Sequence, residues 1–237
     1  MKQLSSIIFV VISALFLISC EGNSPTHDQP STMQKSAKRG VSFNFTNIQD
    51  LPLLSPAISW SYNWANDQNS TSALWFDTNE MDFCPMCWNG SYSAAKIRQY
   101  VQEHPNTKYL LGFNEPNLTD QCNMTPAQAA EQWPQVVALA RELNLKLISP
   151  AMNYGTLAGY HDPIKWLDEF FAQPNVSLDD IHAIAIHCYM ASPSAVKDYI
   201  KRFEKYGKPI WMTEFCAWDP VPSNVEKQMD YMCSVLN

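Results

Sequence analysis

The chain has 237 residues, a formal charge of −7 and a pI near 5.1. An acidic chain without a Lys/Arg block argues against a nucleic-acid partner, because phosphate binding needs clustered positive charge. Hydrophobic residues make up 46%, enough for one large core, and aromatics reach 12%. That composition suits a neutral ligand with flat apolar faces, and equally an aromatic-rich interior.

The N-terminus reads as an address. Lys2 precedes an apolar stretch over 4–18 that is too short to span a membrane. It runs into Leu17-Ile18-Ser19-Cys20, which resembles a bacterial lipobox, with cleavage before Cys20 and a lipid on its sulfur. An ordinary signal peptide with an incidental cysteine is the alternative. Glu21 favours the outer membrane by resemblance to Gram-negative sorting rules. Residues 21–37 are rich in Ser, Thr, Pro, Gln and Asn and read as a tether. The expected organisation is a signal peptide over 1–19, a lipidated Cys20 with a tether over 20–37, and a folded domain over 38–237. The protein is expected to be exported, monomeric and attached to the membrane through its lipid alone.

Short apolar runs then alternate with helical patterns. Strands are expected over 40–45, 57–60, 82–87, 109–114, 146–150, 182–187 and 209–214. Helices are expected over 93–103, 125–143, 161–172, 194–206 and 223–235, several opened by cap signals such as Thr125-Pro126-Ala127-Gln128. Strict alternation implies a parallel sheet covered by helices. No glycine-rich loop follows the first strand, so a (β/α)8 barrel is favoured over a dinucleotide-binding sheet. One loop and one helix follow the seventh strand, and the expectation is an α/β barrel cut short before strand eight.

Barrel sites gather where strands end at the C-terminal face. Strand four ends in Asn114-Glu115-Pro116 and strand seven in Thr213-Glu214. Strand six ends in His187-Cys188-Tyr189, and Tyr62-Asn63-Trp64 and Trp88 follow strands two and three. Two opposed carboxylates are what glycoside hydrolysis needs, one to protonate the leaving oxygen and one to meet the anomeric carbon. A lone Glu before Pro is more often a turn residue; the pairing with Glu214 raises it. Trp60, Trp133, Trp166 and Trp211 are assigned to the core, with Trp211 out of phase with Glu214 because strand side chains alternate. Cys84-Pro85-Met86-Cys87 lies at a strand end, not at the helix N-terminus that redox work favours. Cys87 and Cys122 fall at the same rim, and whether they pair is left open. No metal or organic cofactor is expected.

The ordered set of motifs resembles glycoside hydrolase family 128, the endo-β-1,3-glucanases. It comprises Lys38-Arg39-Gly40, Ser59-Trp60, Tyr62-Asn63-Trp64, Pro85-Met86 with Trp88, and 111–117 with its Asn-Glu-Pro-Asn. It continues with 123–129, Ser149-Pro150-Ala151, Ile186-His187 with Tyr189, Pro209-Ile210-Trp211 and Thr213-Glu214-Phe215. The resemblance implies a retaining double displacement on a laminarin-type β-1,3-glucan, with Glu115 as acid/base and Glu214 as nucleophile. It further implies that Asn114 binds the sugar 2-hydroxyl, Tyr189 orients Glu214 and His187 lines the same subsite. Asn63, Trp88 and Trp218 become candidate sugar contacts. The alternative is a surface glucan-binding lipoprotein without turnover.

Overall fold

The computed structural model describes residues 35–218 and 224–236, so the expected signal peptide over 1–19, Cys20 and most of the expected tether lie outside the described residues. Seven strands alternate with helices: β1 (Ser36–Ser42), α1 (Leu51–Leu54), β2 (Ile58–Tyr62), α2 (Ser70–Thr78), β3 (Asp82–Phe83), α3 (Ala94–Glu103) and β4 (Tyr109–Leu110). There follow α4 (Pro126–Glu142), β5 (Lys146–Ile148), α5 (Pro163–Phe171), β6 (Ile181–Met190), α6 (Pro193–Lys201), β7 (Ile210–Ala217) and α7 (Val225–Leu236). β1 starts at Ser36, slightly ahead of the expected domain boundary at residue 38.

All paired strands run parallel, in the orders β1-β2-β3 and β4-β5-β6-β7. The two sheets meet where Leu111 donates to the Pro85 carbonyl and accepts from Cys87 N, both at 2.9 Å. In a flat sheet β2 and β7 would stand five strand spacings, about 24 Å, apart. Instead Trp60 on β2 stacks on Trp211 of β7 at 5.2 Å. The wall therefore curls on itself. Among the described residues the wall is an α/β partial barrel of seven parallel strands, as expected of a barrel cut short before strand eight.

Two layers of packing hold the wall. β6 alternates Ala183 and Ala185 toward the inner cluster of Tyr62, Met86, Leu111 and Ile148, with Ile184, Ile186 and Cys188 toward the helices. The outer layer centres on Trp133, Trp166 and Phe170, all fully buried. α4 begins with the capping box expected from its sequence, Thr125 accepting from Gln128 N and the Gln128 side chain from Thr125 N.

Three expectations fail for local reasons. The strands over 82–87 and 109–114 shorten to two residues each with isolated bridges beyond, since Pro85 has no N–H for the ladder. α2 was not foreseen because its polar lead-in, 66–70, reads as a loop. Asn69 nevertheless caps it, accepting from Ser72 N at 2.9 Å. Trp211 is not out of phase with Glu214. Ile186 pairs with Met212 but His187 pairs with Glu214, so Thr213 is an extra residue in the strand. This bulge puts Trp211 and Glu214 on the same inner face.

Trp133 sits between Phe113 and Phe170, each 5.3 Å away between ring centres. Trp133→Ala is expected to lower the unfolding free energy by about 3–5 kcal/mol in a denaturant titration. A change within about 0.5 kcal/mol would remove it from the centre of the outer core.

Candidate active site

Glu115 follows β4 at a backbone φ of 45°, a left-handed conformation rare for a residue with a side chain and further disfavoured before Pro116. Its N–H donates to the Ala151 carbonyl at 3.1 Å and its carbonyl accepts from Leu118 N at 3.0 Å. These contacts offset a strain of roughly 1–3 kcal/mol and aim the carboxylate into the barrel mouth. There Glu115 Oε1 accepts from Asn153 Nδ2 at 3.0 Å and from His187 Nδ1 at 2.8 Å.

Glu214 arrives from the opposite side, past the bulge. Its Oε1 accepts from Tyr62 OH and from Trp64 Nε1, both at 2.7 Å, and its Oε2 accepts from Tyr189 OH. His187 Nδ1 lies 3.5 Å from Glu214 Oε2. One imidazole nitrogen therefore faces both carboxylates, and between two acceptors it carries the proton. The nearest oxygens of Glu115 and Glu214 can be no further apart than those two His187 distances laid end to end.

Burial pushes the Glu214 carboxyl up. His187 and the donors Tyr189, Trp64 and Tyr62 pull it down more strongly, so it lies below the usual carboxylate range. The Tyr62 and Tyr189 hydroxyls are raised, first by burial and then by Glu214, and remain protonated donors.

The two carboxylates open on a cleft of about 720 Å³. Of the sequence-predicted residues, Glu115, Glu214, Asn114, Trp88, Tyr189 and Trp218 line it. Trp218 is 70% exposed at the rim. Asn114 gives its amide to Gln121 Oε1 at 3.1 Å, while its buried Oδ1 meets no partner among the described residues. His187 does not line the cleft; it is fully buried beneath it. Asn63 is turned to its own loop, donating to the Asp67 carbonyl at 3.2 Å and accepting from Ala65 N at 3.1 Å. The neighbouring Trp64, at φ 60°, takes the place in the cleft. Trp64, Asn153 and Tyr154 were missed as site residues. The strand-end rule that found Glu115 would have found Asn153 and Tyr154 had it been applied beyond Ala151 on strand five.

Cys84 and Cys87 are free and buried, and burial raises both thiols, the reverse of what a redox pair needs. Cys87 and Cys122 are likewise not joined.

The sequence pattern described as glycosyl hydrolase catalytic core matches residues 40–237. A family 128 (subgroup II) endo-β-1,3-glucanase from Pseudomonas viridiflava is 37% identical, with a TM-score of 0.74 over 82% of this chain and 78% of that one. The chain belongs to glycoside hydrolase family 128. Another family 128 enzyme, a subgroup I endo-β-1,3-glucanase from Amycolatopsis mediterranei seen with laminaritriose and laminaribiose, is 26% identical. Its TM-score is 0.55, over 79% of this chain and 74% of that one. The Alkali-sensitive linkage protein 1 of Schizosaccharomyces pombe is 31% identical over 185 residues, 76% of this chain. The chain spans 30% of the length of that relative.

For this family 128 protein, Tyr189→Phe removes one of the donors that lower Glu214. The carboxyl midpoint is expected to move to higher pH in a 13C NMR titration. Because the folded-state value is depressed, ionised Glu214 adds stability above the unfolded carboxylate range, and this is lost as pH falls through the folded value. In the variant that loss begins at higher pH. An unchanged midpoint would remove Tyr189 from the control of Glu214.

Proposed function

We propose that the protein hydrolyses β-1,3-glucan of the laminarin type by a retaining double displacement. The observation that carries this is the pair of carboxylates facing one imidazole at the mouth of the barrel. Inverting enzymes keep their carboxyls about 6.5–9.5 Å apart to admit a water, and retaining ones about 5–5.5 Å. The bound set by His187 keeps the carboxylates close enough for the second geometry, which the resemblance implies.

In the first step Glu214 attacks the anomeric carbon while Glu115 gives its proton to the departing glycosidic oxygen. The carbon–oxygen bond breaks and a glycosyl ester forms on Glu214. In the second step Glu115 takes a proton from water, whose oxygen attacks the same carbon and frees Glu214. Both contacts to Glu115 fall on Oε1, which leaves Oε2 for the travelling proton. Asn114 Oδ1, an unmet acceptor, suits a sugar hydroxyl. Trp64, Trp88 and Trp218 offer faces for pyranose rings. Both carboxylates stand with their donors in place, which favours turnover over a glucan-binding protein without it.

Incubation with laminarin should release reducing ends, and proton NMR should find the β-anomer formed first. Glu214→Gln and Glu115→Gln should each lose at least about a thousandfold in rate. Near wild-type turnover by Glu214→Gln refutes its role, and an α-anomer formed first refutes retention. Cleavage of other β-glucans in place of laminarin moves the substrate assignment.

The lipobox-like run supports export and a lipid anchor on Cys20, at the outer membrane or cell surface. Cells fed labelled palmitate should mark the wild-type chain and leave Cys20→Ala unmarked. Equal labelling of both sinks the anchor.

A further inference from the structure

Aromatic residues line the cleft near each carboxylate. Trp64 donates to Glu214, and Tyr154 directly follows the Asn153 that donates to Glu115. Tyr154 is 53% exposed, yet its ring is held. It packs on buried Tyr199 at 5.1 Å between ring centres. The Arg202 guanidinium carbon lies 5.9 Å from its centroid, and Arg202 Nη1 donates to its hydroxyl at 3.3 Å. Arg202 is itself fixed by Asp162, whose two oxygens accept from Nη2 at 2.7 and 2.8 Å.

The backbone beneath is held as firmly. Asn117, fully buried, donates through Nδ2 to the carbonyls of Asn153 at 2.8 Å and Tyr160 at 3.3 Å. Its own carbonyl accepts from Thr156 N at 3.0 Å and Leu157 N at 2.9 Å. Gly155 is obligatory in this clamp, since a Cβ there would come within 2.5 Å of Asn117 Nδ2 and the Tyr160 carbonyl. A solvent-facing ring immobilised before any ligand arrives has already lost the freedom that binding would otherwise cost.

We propose that Tyr154 is the stacking platform of the second leaving-side pyranose subsite, one sugar beyond the bond that Glu115 serves. This rests on the glucanase reading. The group that protonates the glycosidic oxygen stands on the side of the departing sugar; Asn153 is beside it, and the exposed Tyr154, one residue further along, meets the sugar after that one. Tyr199 and Arg202 hold the ring from the protein side, and the part of Tyr154 that stays exposed can meet the C–H face of a pyranose.

The test is the distribution of cleavage along reducing-end-labelled laminarihexaose. Cleavage at the bond nearest the reducing end leaves this second subsite empty, whereas inner cleavages fill it, so its loss penalises only the inner bonds. Tyr154→Ala should therefore raise cleavage at the bond nearest the reducing end, relative to inner bonds, by roughly tenfold. Tyr154→Trp should keep the wild-type pattern, and Arg202→Met should move it the same way as Tyr154→Ala but less. The ratio is read on active molecules only, so a variant that folds poorly still reports. A lower rate with an unchanged distribution overturns the subsite, as does a shift toward the non-reducing end. A wild-type protein that leaves laminarihexaose intact overturns the glucanase reading, and the subsite with it.

Discussion

The candidate site depends on keeping two acidic side chains near each other in a largely buried place. Two unit charges about 5 Å apart repel by about 3 kcal/mol at an effective dielectric of about 20. His187 answers this by presenting one N–H to both carboxylates from below. Glu214 receives two hydroxyls and an indole besides, and Glu115 an amide. The donors are unequal in number and kind, so the two acids are chemically distinct before any substrate arrives.

Room for that imidazole comes from the layer underneath. β6 shows only Ala183 and Ala185 to the barrel interior below His187, while its outer face carries Ile184 and Ile186. The small residues let Trp60 and Trp211 fill the floor as a stacked pair. The floor is thus wide and aromatic, and the upper tier is polar and donor-rich. Both backbone outliers at the centre, Glu115 and Trp64, occur where the chain leaves this regular packing. Local strain there is held by hydrogen bonds from neighbouring loops.

Much of this was legible in the sequence. Alternating apolar runs and helix caps revealed the parallel architecture, and the strand-end rule picked out Glu115 and Glu214 without coordinates. The pairing of Tyr189 with Glu214 was foreseen through the family resemblance. What stayed hidden depends on facts that no single segment contains. Asn63 and Trp64 are adjacent, and only the left-handed turn at Trp64 decides which of them meets the cleft. His187 was expected to line the sugar subsite, because its place beneath both acids is set by two other strands. Asn153 lies in a polar loop whose path is dictated by Asn117, far away in sequence. α2 was lost because its cap sits inside a run of polar residues.

The extra residue at Thr213 separates two jobs within one strand. Below it, β7 keeps step with the aromatic floor; above it, the strand keeps step with His187 and Tyr189 on β6. Were Thr213 to pair in step instead of bulging, ordinary alternation would turn Glu214 outward against the helices whenever Trp211 pointed in. The orientation of a key acid is therefore governed by a parity count along the backbone, a quantity that no comparison of side-chain chemistry at position 214 alone would reveal.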